Sequence, residues 1–330
     1  SMRALPVYFF IAKNGDVTDA MHMPPSQQQP YTGSDYKWRG TFVYNGTVYD
    51  HVGFRPTGAE RRFATGKTNW RFNFNAGHRF QAYDEYGRPY AVLRDKLNLR
   101  GEMGHTDRER RGEAGMFESM SYKLFELAGV PASDTNFVHY RVITGASEYG
   151  SSQYDGDFWG LYLSIENPDE QFIEEHNLPD GNLYKIESTV PPPGTPNYYE
   201  GDLNNLGRNG PADGSDLWAL SQGAQQSSTS AATWWRTNVD LENYYSFRAV
   251  VEFVHHYDMG EGKNYMFYNN PETKKWAIYP WDVDLTWHDT TRYFGTGQEP
   301  WACKALGRCY DPVLETFTPY SGPFAVEYQG

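Results

Sequence analysis

From Gly66 to Phe74 the chain reads GKTNWRFNF, an alternation that fixes a strand before anything else is known. Trp70, Phe72 and Phe74 fall on one face, and Lys67, Asn69, Arg71 and Asn73 on the other. Period-two alternation of bulky apolar and polar residues marks an antiparallel strand with one packed and one polar face. Just upstream, TFVYNGTVYDHVGFR sets Asn45-Gly46 between two runs rich in β-branched and aromatic residues. That dipeptide is the strongest short hairpin signal. The first half therefore reads as an antiparallel sheet, with Lys67 and Arg71 pointing the same way. An ordinary solvated strand face is the competing reading of those two cations.

Downstream, EAGMFESMSYKLFELAGVPA predicts a helix at about 115–128. Met116, Met120, Leu124 and Leu127 recur at helical spacing, and Gly129 and Pro131 end it. Glu118 lies off that stripe, where it is expected to face a cleft. TNFVHYRVI and FWGLYLSIE read as strands, and NPDEQFIEEH as a helix start. Ser, Pro, Gly, Asn and Gln crowd residues 188–233, which read as a long irregular insertion. A helix follows, DLENYYSFRAVVEFVHHY, with Asp240 as its N-cap, and then a hairpin of YMFY and KWAIYP around NNPETK. This order gives an α+β chain. A β-rich N-lobe spans residues 1–166 and a helical C-lobe residues 167–330, with the junction near Glu166 to Asp169.

At 330 residues, with aromatics at 17%, the chain is long and apolar enough to bury a core. No apolar run approaches the roughly 20 residues of a membrane-spanning helix. The formal net charge of −13 argues against a nucleic-acid partner and suits either a basic protein substrate or plain solubility. Ser1-Met2 reads as a cloning remnant, so targeting is not legible at the start. Cys303 and Cys309, in CKALGRC, make a poor zinc pair without a nearby His. With Gly307 between them they are placed to close a short disulfide, which implies an oxidising compartment.

The chemistry-bearing residues concentrate in HHYDMGEGKNYMFY (His255–Tyr268) and PWDVDLTW (Pro280–Trp287). Asp258, Asp282 and Asp284 sit among aromatic and aliphatic residues, where an unpaired carboxylate is costly. The hairpin between the two segments is expected to bring Asp282 back beside Asn264. Asp258, Asn264 and Asp282 are the set that ATP-dependent phosphotransfer needs: one carboxylate at the hydroxyl proton, an amide and a carboxylate on magnesium. Three other readings stand beside this one. The aspartates can cap turns. The HHYD stretch can bind zinc, although adjacent His side chains diverge at a helix end. Asp258 and Asp282 can be a glycosidase's acid and base, with Trp and Tyr stacking sugars.

Taken in order, LPVYFF, GTFVYNGTVYDHVGFRPTG, GKTNWRFNF, ESMSYKLFELAGVPA, WGLYLSIE, GNLYK, DMGEGKNYMFY and WAIYPWDVDLTW cover roughly residues 5–290. This series resembles the spore-coat protein H (CotH) kinases, atypical secreted or coat-associated protein kinases. The resemblance implies a divergent two-lobed protein-kinase-like fold that transfers the ATP γ-phosphoryl to Ser or Thr, with Mg²⁺ or Mn²⁺. Asp258 then resembles the catalytic-loop aspartate, with Asn264 and Asp282 on the metal. Lys67 and Arg71 correspond to the family's basic strand, Arg55 to another basic position near the nucleotide, and Glu118 to the helix ion-pair partner. Glu166 would lie near the adenine; Lys263 and Asp284 are supporting positions.

The implied partners are ATP and a protein substrate, Ser-rich and, from the net charge of −13, basic, and the implied location is extracellular or coat-associated. The chain departs from the family pattern in its 188–233 insertion. It also stops soon after PWDVDLTW, where further helices are expected and the Cys303/Cys309 segment stands instead. Transfer of AMP or glutamate, and a non-catalytic or carbohydrate-binding module, remain the alternatives.

Overall fold

The computed structural model describes residues 5–22, 38–57, 68–101, 113–146, 157–186, 190, 192–193, 203–205, 213–225, 231–256, 259, 264–287, 308–311 and 316–319. The chain divides into two compact units. One is Ser1–Ser119 with Asp134–Asn167, the other Met120–Ser133 with Pro168–Gly330.

In the first unit seven strands close into a barrel. They are β1 (Val7–Ile11), β2 (Trp38–Tyr44), β3 (Thr47–Thr57), β4 (Asn69–Asn73), β5 (Lys96–Arg100), β6 (Thr135–Ile143) and β7 (Phe158–Glu166). The order around the barrel is β1-β2-β3-β4-β5-β7-β6. All neighbours are antiparallel except β1 and β6, which run parallel with Val7 opposite His139 and Ile11 opposite Ile143. That seam removes the free edges an open sheet would expose. Asn45 and Gly46 turn β2 into β3 with φ of 49° and 78°, the paired positive angles of a tight hairpin.

Aromatic rings fill the barrel. The fully buried Phe42 meets Tyr8, Phe72, Phe74 and Phe80 edge-on at centroid distances of 5.2, 5.1, 5.5 and 5.6 Å. Such edge contacts add to the area each ring buries. Burial also raises the pKa of the Tyr8 hydroxyl and keeps it neutral. As the alternation of GKTNWRFNF predicts, Trp70, Phe72 and Phe74 are buried, whereas Asn69, Arg71 and Asn73 are only partly covered.

Two helices lie in or adjoin this unit. α1 (Asn14–His22) has no counterpart in the sequence reading; it is short and polar, and buries only Val17 and Ala20. α2 (Glu113–Leu127) forms where the spacing predicts, and the division between units falls within it. Its buried face is not the expected one. Met116, Met120 and Leu127 are exposed by 55%, 47% and 74%, while Glu118, Ser121, Tyr122 and Phe125 are buried. The second set also recurs at three- and four-residue spacing. Aromatic rings and groups with hydrogen-bond partners gain more from burial there than the flexible methionines.

The second unit holds a four-stranded antiparallel sheet in the order β11-β10-β8-β9. Its strands are β8 (Asn182–Ile186), β9 (Leu203–Asn205), β10 (Tyr265–Asn269) and β11 (Trp276–Pro280). Four helices accompany it: α3 (Glu170–Glu175), α4 (Ser215–Ala224), α5 (Ala231–Asn238) and α6 (Leu241–Phe253). β12 (Arg308–Asp311) and β13 (Thr316–Pro319) form a separate ribbon. Asp240 caps α6 by accepting the Asn243 N–H at 3.2 Å, as its position predicts. The 188–233 stretch is not wholly irregular, since it carries β9, α4 and the start of α5. α4 is pinned at its first turn, where Asp216 accepts from the Tyr184 hydroxyl at 2.6 Å and from the Asn182 and Asn269 amides at 3.1 and 2.9 Å.

The two-lobed protein-kinase-like arrangement with a mainly helical C-lobe is therefore corrected. β1, β6 and β7 join β2–β5 in one closed mixed barrel, and a sheet organises the second unit. Only six helices occur among the described residues. Local spacing identifies strands, but barrel closure depends on the pairing of β1 with β6, two segments more than a hundred residues apart.

Barrel packing and the exposed methionine stripe make unequal demands on side-chain volume. Phe42→Ala is expected to cost about 3–5 kcal/mol in urea unfolding, and Met116→Ala to stay within about 0.5 kcal/mol of wild type. A large loss at Met116 would restore the methionine face as the packed one.

Candidate functional site

Residues nominated from the sequence fall into two groups, one in each unit, and each is built by its own strands. In the second unit the β10–β11 hairpin pairs Tyr265 with Pro280 and Asn269 with Trp276. Its base is closed by the Trp281 N–H, which donates to the Asn264 carbonyl at 3.3 Å. The hairpin thus brings Asn264 and Asp282 together as its spacing predicts. The Asp282 N–H donates to the Tyr122 hydroxyl at 3.1 Å, so the following turn is held against α2. Beyond it, buried Thr286 donates to the Val283 carbonyl at 3.0 Å and lies 3.1 Å from the Ser121 hydroxyl. The Trp287 indole N–H also donates to Ser121, at 3.1 Å.

Asn264 and Asp282 share an uncommon backbone state. Their φ angles are 67° and 55°, in the left-handed region that costs most residues energy and that Asn and Asp tolerate best. Held strain of this kind gathers at functional sites. Both side chains offer oxygen donors, the ligand type hard divalent cations prefer. Asn264 is buried; Asp282 and Asp284 are partly exposed. α6 ends at Phe253, with Val254 as its C-cap, short of the expected delivery to Asp258. Asp258 and Lys263 lie outside the described residues, as does Cys303; of Cys309, only its place on β12 is described.

In the first unit Arg55 on β3 stands directly opposite Arg71 on β4, which stands opposite Asn98 on β5. Side chains directly opposite on neighbouring strands share a face, so this row is one polar stripe, with Arg55 and Asn98 buried and Arg71 partly exposed. Arg71 Nε donates to Asn98 Oδ1 at 2.8 Å, and the Asn98 amide donates to Asn167 Oδ1 at 3.3 Å. Lys67, expected on the same face, lies outside the described residues. Glu118 does not line an open cleft. It is 1% exposed, and its carboxylate lies 3.8 Å from Arg100 Nε on β5.

Glu166 ends β7 and is also buried, with Arg94 3.4 Å away and the Asp134 N–H donating to it at 3.1 Å. Arg94 also pairs with Asp134 at 2.9 Å and lies 4.5 Å from the Tyr90 ring centroid. Burial works against the Arg94 charge, but Glu166 and Asp134 outweigh it and raise its pKa. Sequence reasoning missed Arg94 and Arg100. For Arg100 the signal was present: in KLNLR, Leu97 and Leu99 alternate with Lys96, Asn98 and Arg100 just as in the neighbouring strand. For Arg94 none was, because its partners come from distant segments.

The hairpin base carries two side chains, Asn264 and Asp282, with oxygen atoms of the type hard cations take, and the Arg55/Arg71 row carries guanidinium donors of the type that take phosphate. A family model described as CotH kinase protein matches residues 54–313, most of the chain. A comparison with curated proteins found no match. No helix among the described residues is long and apolar enough to cross a membrane.

The left-handed backbone at Asp282 gives a stability test that does not depend on any ligand. Glycine adopts positive φ without steric cost, so Asp282→Gly is expected to be about 1 kcal/mol more stable than Asp282→Ala. Thermal unfolding of the two variants checks this. An alanine variant at least as stable as the glycine one would show that no strain is held there.

Proposed function

The chain belongs to the CotH kinase protein family, whose name suggests a kinase-like function; on that premise we propose that it is a Ser/Thr protein kinase using ATP and Mg²⁺ or Mn²⁺. The observation that carries the reading is the base of the β10–β11 hairpin, where Asn264 is bonded to the residue before Asp282 and both Asn264 and Asp282 have left-handed backbones. A magnesium site asks for oxygen ligands on a rigid frame, and this donor set fits one. Asn264 and Asp282 would hold the ion. When bound, it offsets the negative charge of the phosphates that a bare carboxylate would repel.

In this reading the substrate hydroxyl oxygen attacks the γ-phosphorus. The bond from that phosphorus to the β,γ-bridging oxygen breaks, ADP leaves with the electron pair, and the hydroxyl proton passes to the Asp258 carboxylate. In the first unit, the Arg55 and Arg71 guanidiniums are donors of the kind that take phosphate oxygens. Asn98 holds the Arg71 guanidinium plane through Nε, which reduces the freedom lost on binding. Glu118 holds Arg100, and Glu166 supports the fold through Arg94. The net charge of −13 favours a basic protein substrate, here proposed to be Ser-rich and met at the cell surface or coat.

Incubation with γ-labelled and α-labelled ATP tests the reaction: label is expected on protein from the γ position alone. Label from the α position would mean AMP transfer, and no label from either would remove the phosphotransferase reading. Asp282→Ala is expected to abolish metal-ATP binding and turnover together. Asp258→Ala is expected to retain ATP binding while turnover falls about 10²–10⁴-fold, since its contact matters mostly in the transition state.

A further inference from the structure

The GNLYK segment, Gly181–Lys185, belongs to the family-like series and has no role in the chemistry so far. Its first four residues are accounted for by packing. A Cβ at Gly181 would stand 2.1 Å from the Asn269 carbonyl oxygen and 2.8 Å from Pro271 Cδ, so only glycine lets β8 start this close to the end of β10. Asn182 is buried and donates to Asp216 and, at 2.8 Å, to the Tyr184 hydroxyl. Leu183 is fully buried, and the Tyr184 hydroxyl donates to Asp216. These contacts fix the register of β8 against β10: Asn182 opposite Asn269, and Lys185 opposite Met266.

That register decides where the fifth residue lies. Met266 is also opposite Tyr279 on β11, so Lys185, Met266 and Tyr279 form one row across three strands. The row is two residues from the hairpin base on both neighbouring strands, after Asn264 on one and before Trp281 on the other. The Lys185 ammonium reaches that base, with Nζ 6.0 Å from the centroid of the Trp281 ring. Trp281 is the residue that donates to the Asn264 carbonyl, and Asp282 is next in the chain. A lysine on an ordered strand, only partly exposed, is therefore placed over Trp281, whose N–H bonds the Asn264 carbonyl and which precedes Asp282 in the chain.

We propose that Lys185 is a substrate-binding residue of the Asn264/Asp282 site, its ammonium contacting the phosphate oxygens of a nucleoside triphosphate. The inference rests on the phosphotransfer reading above. A metal ion held by an amide and a carboxylate, with an ammonium on the neighbouring strand, suits a polyphosphate better than either would alone. The cation takes some of the phosphate oxygens, and the lysine, a compact point charge with three donors, takes others. No bond is made or broken at Lys185, which acts by charge and hydrogen bonding alone.

Calorimetric titration of the full chain with Mn²⁺·ATP, and separately with AMP, tests it on wild type, Lys185→Met, Lys185→Arg and Asp282→Ala. Lys185→Met is expected to weaken Mn²⁺·ATP binding roughly 10–100-fold, the worth of one charge-assisted hydrogen bond. Lys185→Arg should recover part of the loss, and AMP binding should not change. If Lys185→Met binds Mn²⁺·ATP within about twofold of wild type, below what one hydrogen bond to a charge is worth, while Asp282→Ala does not bind it, the role of Lys185 is wrong and the phosphotransfer reading stands. If wild type binds no Mn²⁺·ATP, both fall. Should Lys185→Met not fold, amine acylation of wild type decides. Mn²⁺·ATP is expected to slow modification of Lys185 relative to Lys274, exposed in the far turn of the β10–β11 hairpin. Equal rates with and without nucleotide would overturn the inference.

Discussion

Parallel pairing of β1 with β6 sets what the first unit can hold. Without it, the seven strands would be an open sheet with β1 and β6 as exposed edges; with it, they enclose a core of rings around Phe42. Closure also has a cost. Glu166, at the end of β7, loses its water along with its apolar neighbours, and an isolated buried carboxylate would be strongly unfavourable. Arg94 and the Asp134 N–H provide the partners, and Arg94 needs Asp134 and Tyr90 in turn. Pairs like this contribute modestly over an apolar replacement, but losing one partner is expensive. The barrel thereby makes its buried charges interdependent.

The polar face of the same strands follows from the same alternation. Every residue that turns an apolar side chain into the barrel leaves its neighbour on the other face of the strand, so Arg55, Arg71 and Asn98 line up without any special device. In the second unit the hairpin plays the corresponding part. Its register brings Asn264 and Asp282 together, and α6 is tied to it where the Asp240 N–H donates to the Trp276 carbonyl at 2.8 Å and the Ile278 N–H to Asn243 at 2.8 Å. Two left-handed residues can persist at the base because the hairpin and the Tyr122 hydroxyl hold them.

What was legible in the sequence was what depends on near neighbours. The Asn45-Gly46 turn, the alternation around Trp70, the Asp240 cap and the YMFY/KWAIYP hairpin each rest on fewer than twenty residues, and each forms as expected. Tertiary choices were not legible. α2 has two faces with helical spacing, and only the finished packing selects Tyr122 and Phe125 over Met116 and Met120. α4 exists in a stretch of turn-forming residues because Asp216 finds Tyr184, Asn182 and Asn269 on two distant strands. The barrel itself needed a pairing across more than a hundred residues, beyond the reach of local pattern. At the site, Asn264 and Asp282 could be read because a hairpin joins them. Glu166 looked available for a ligand because its partner Arg94 announces itself only in three dimensions.

The central claim is that the base of the β10–β11 hairpin is where a metal-nucleotide is held. Crystals grown with Mn²⁺ and a non-hydrolysable ATP analogue test it most directly, through the anomalous signal of manganese. The expected result is an ion bonded to the Asn264 side-chain oxygen and the Asp282 carboxylate at about 2.1 Å, as for a hard divalent cation, with phosphate oxygens completing its shell. Manganese and nucleotide bound together at a place that includes neither residue would contradict the account.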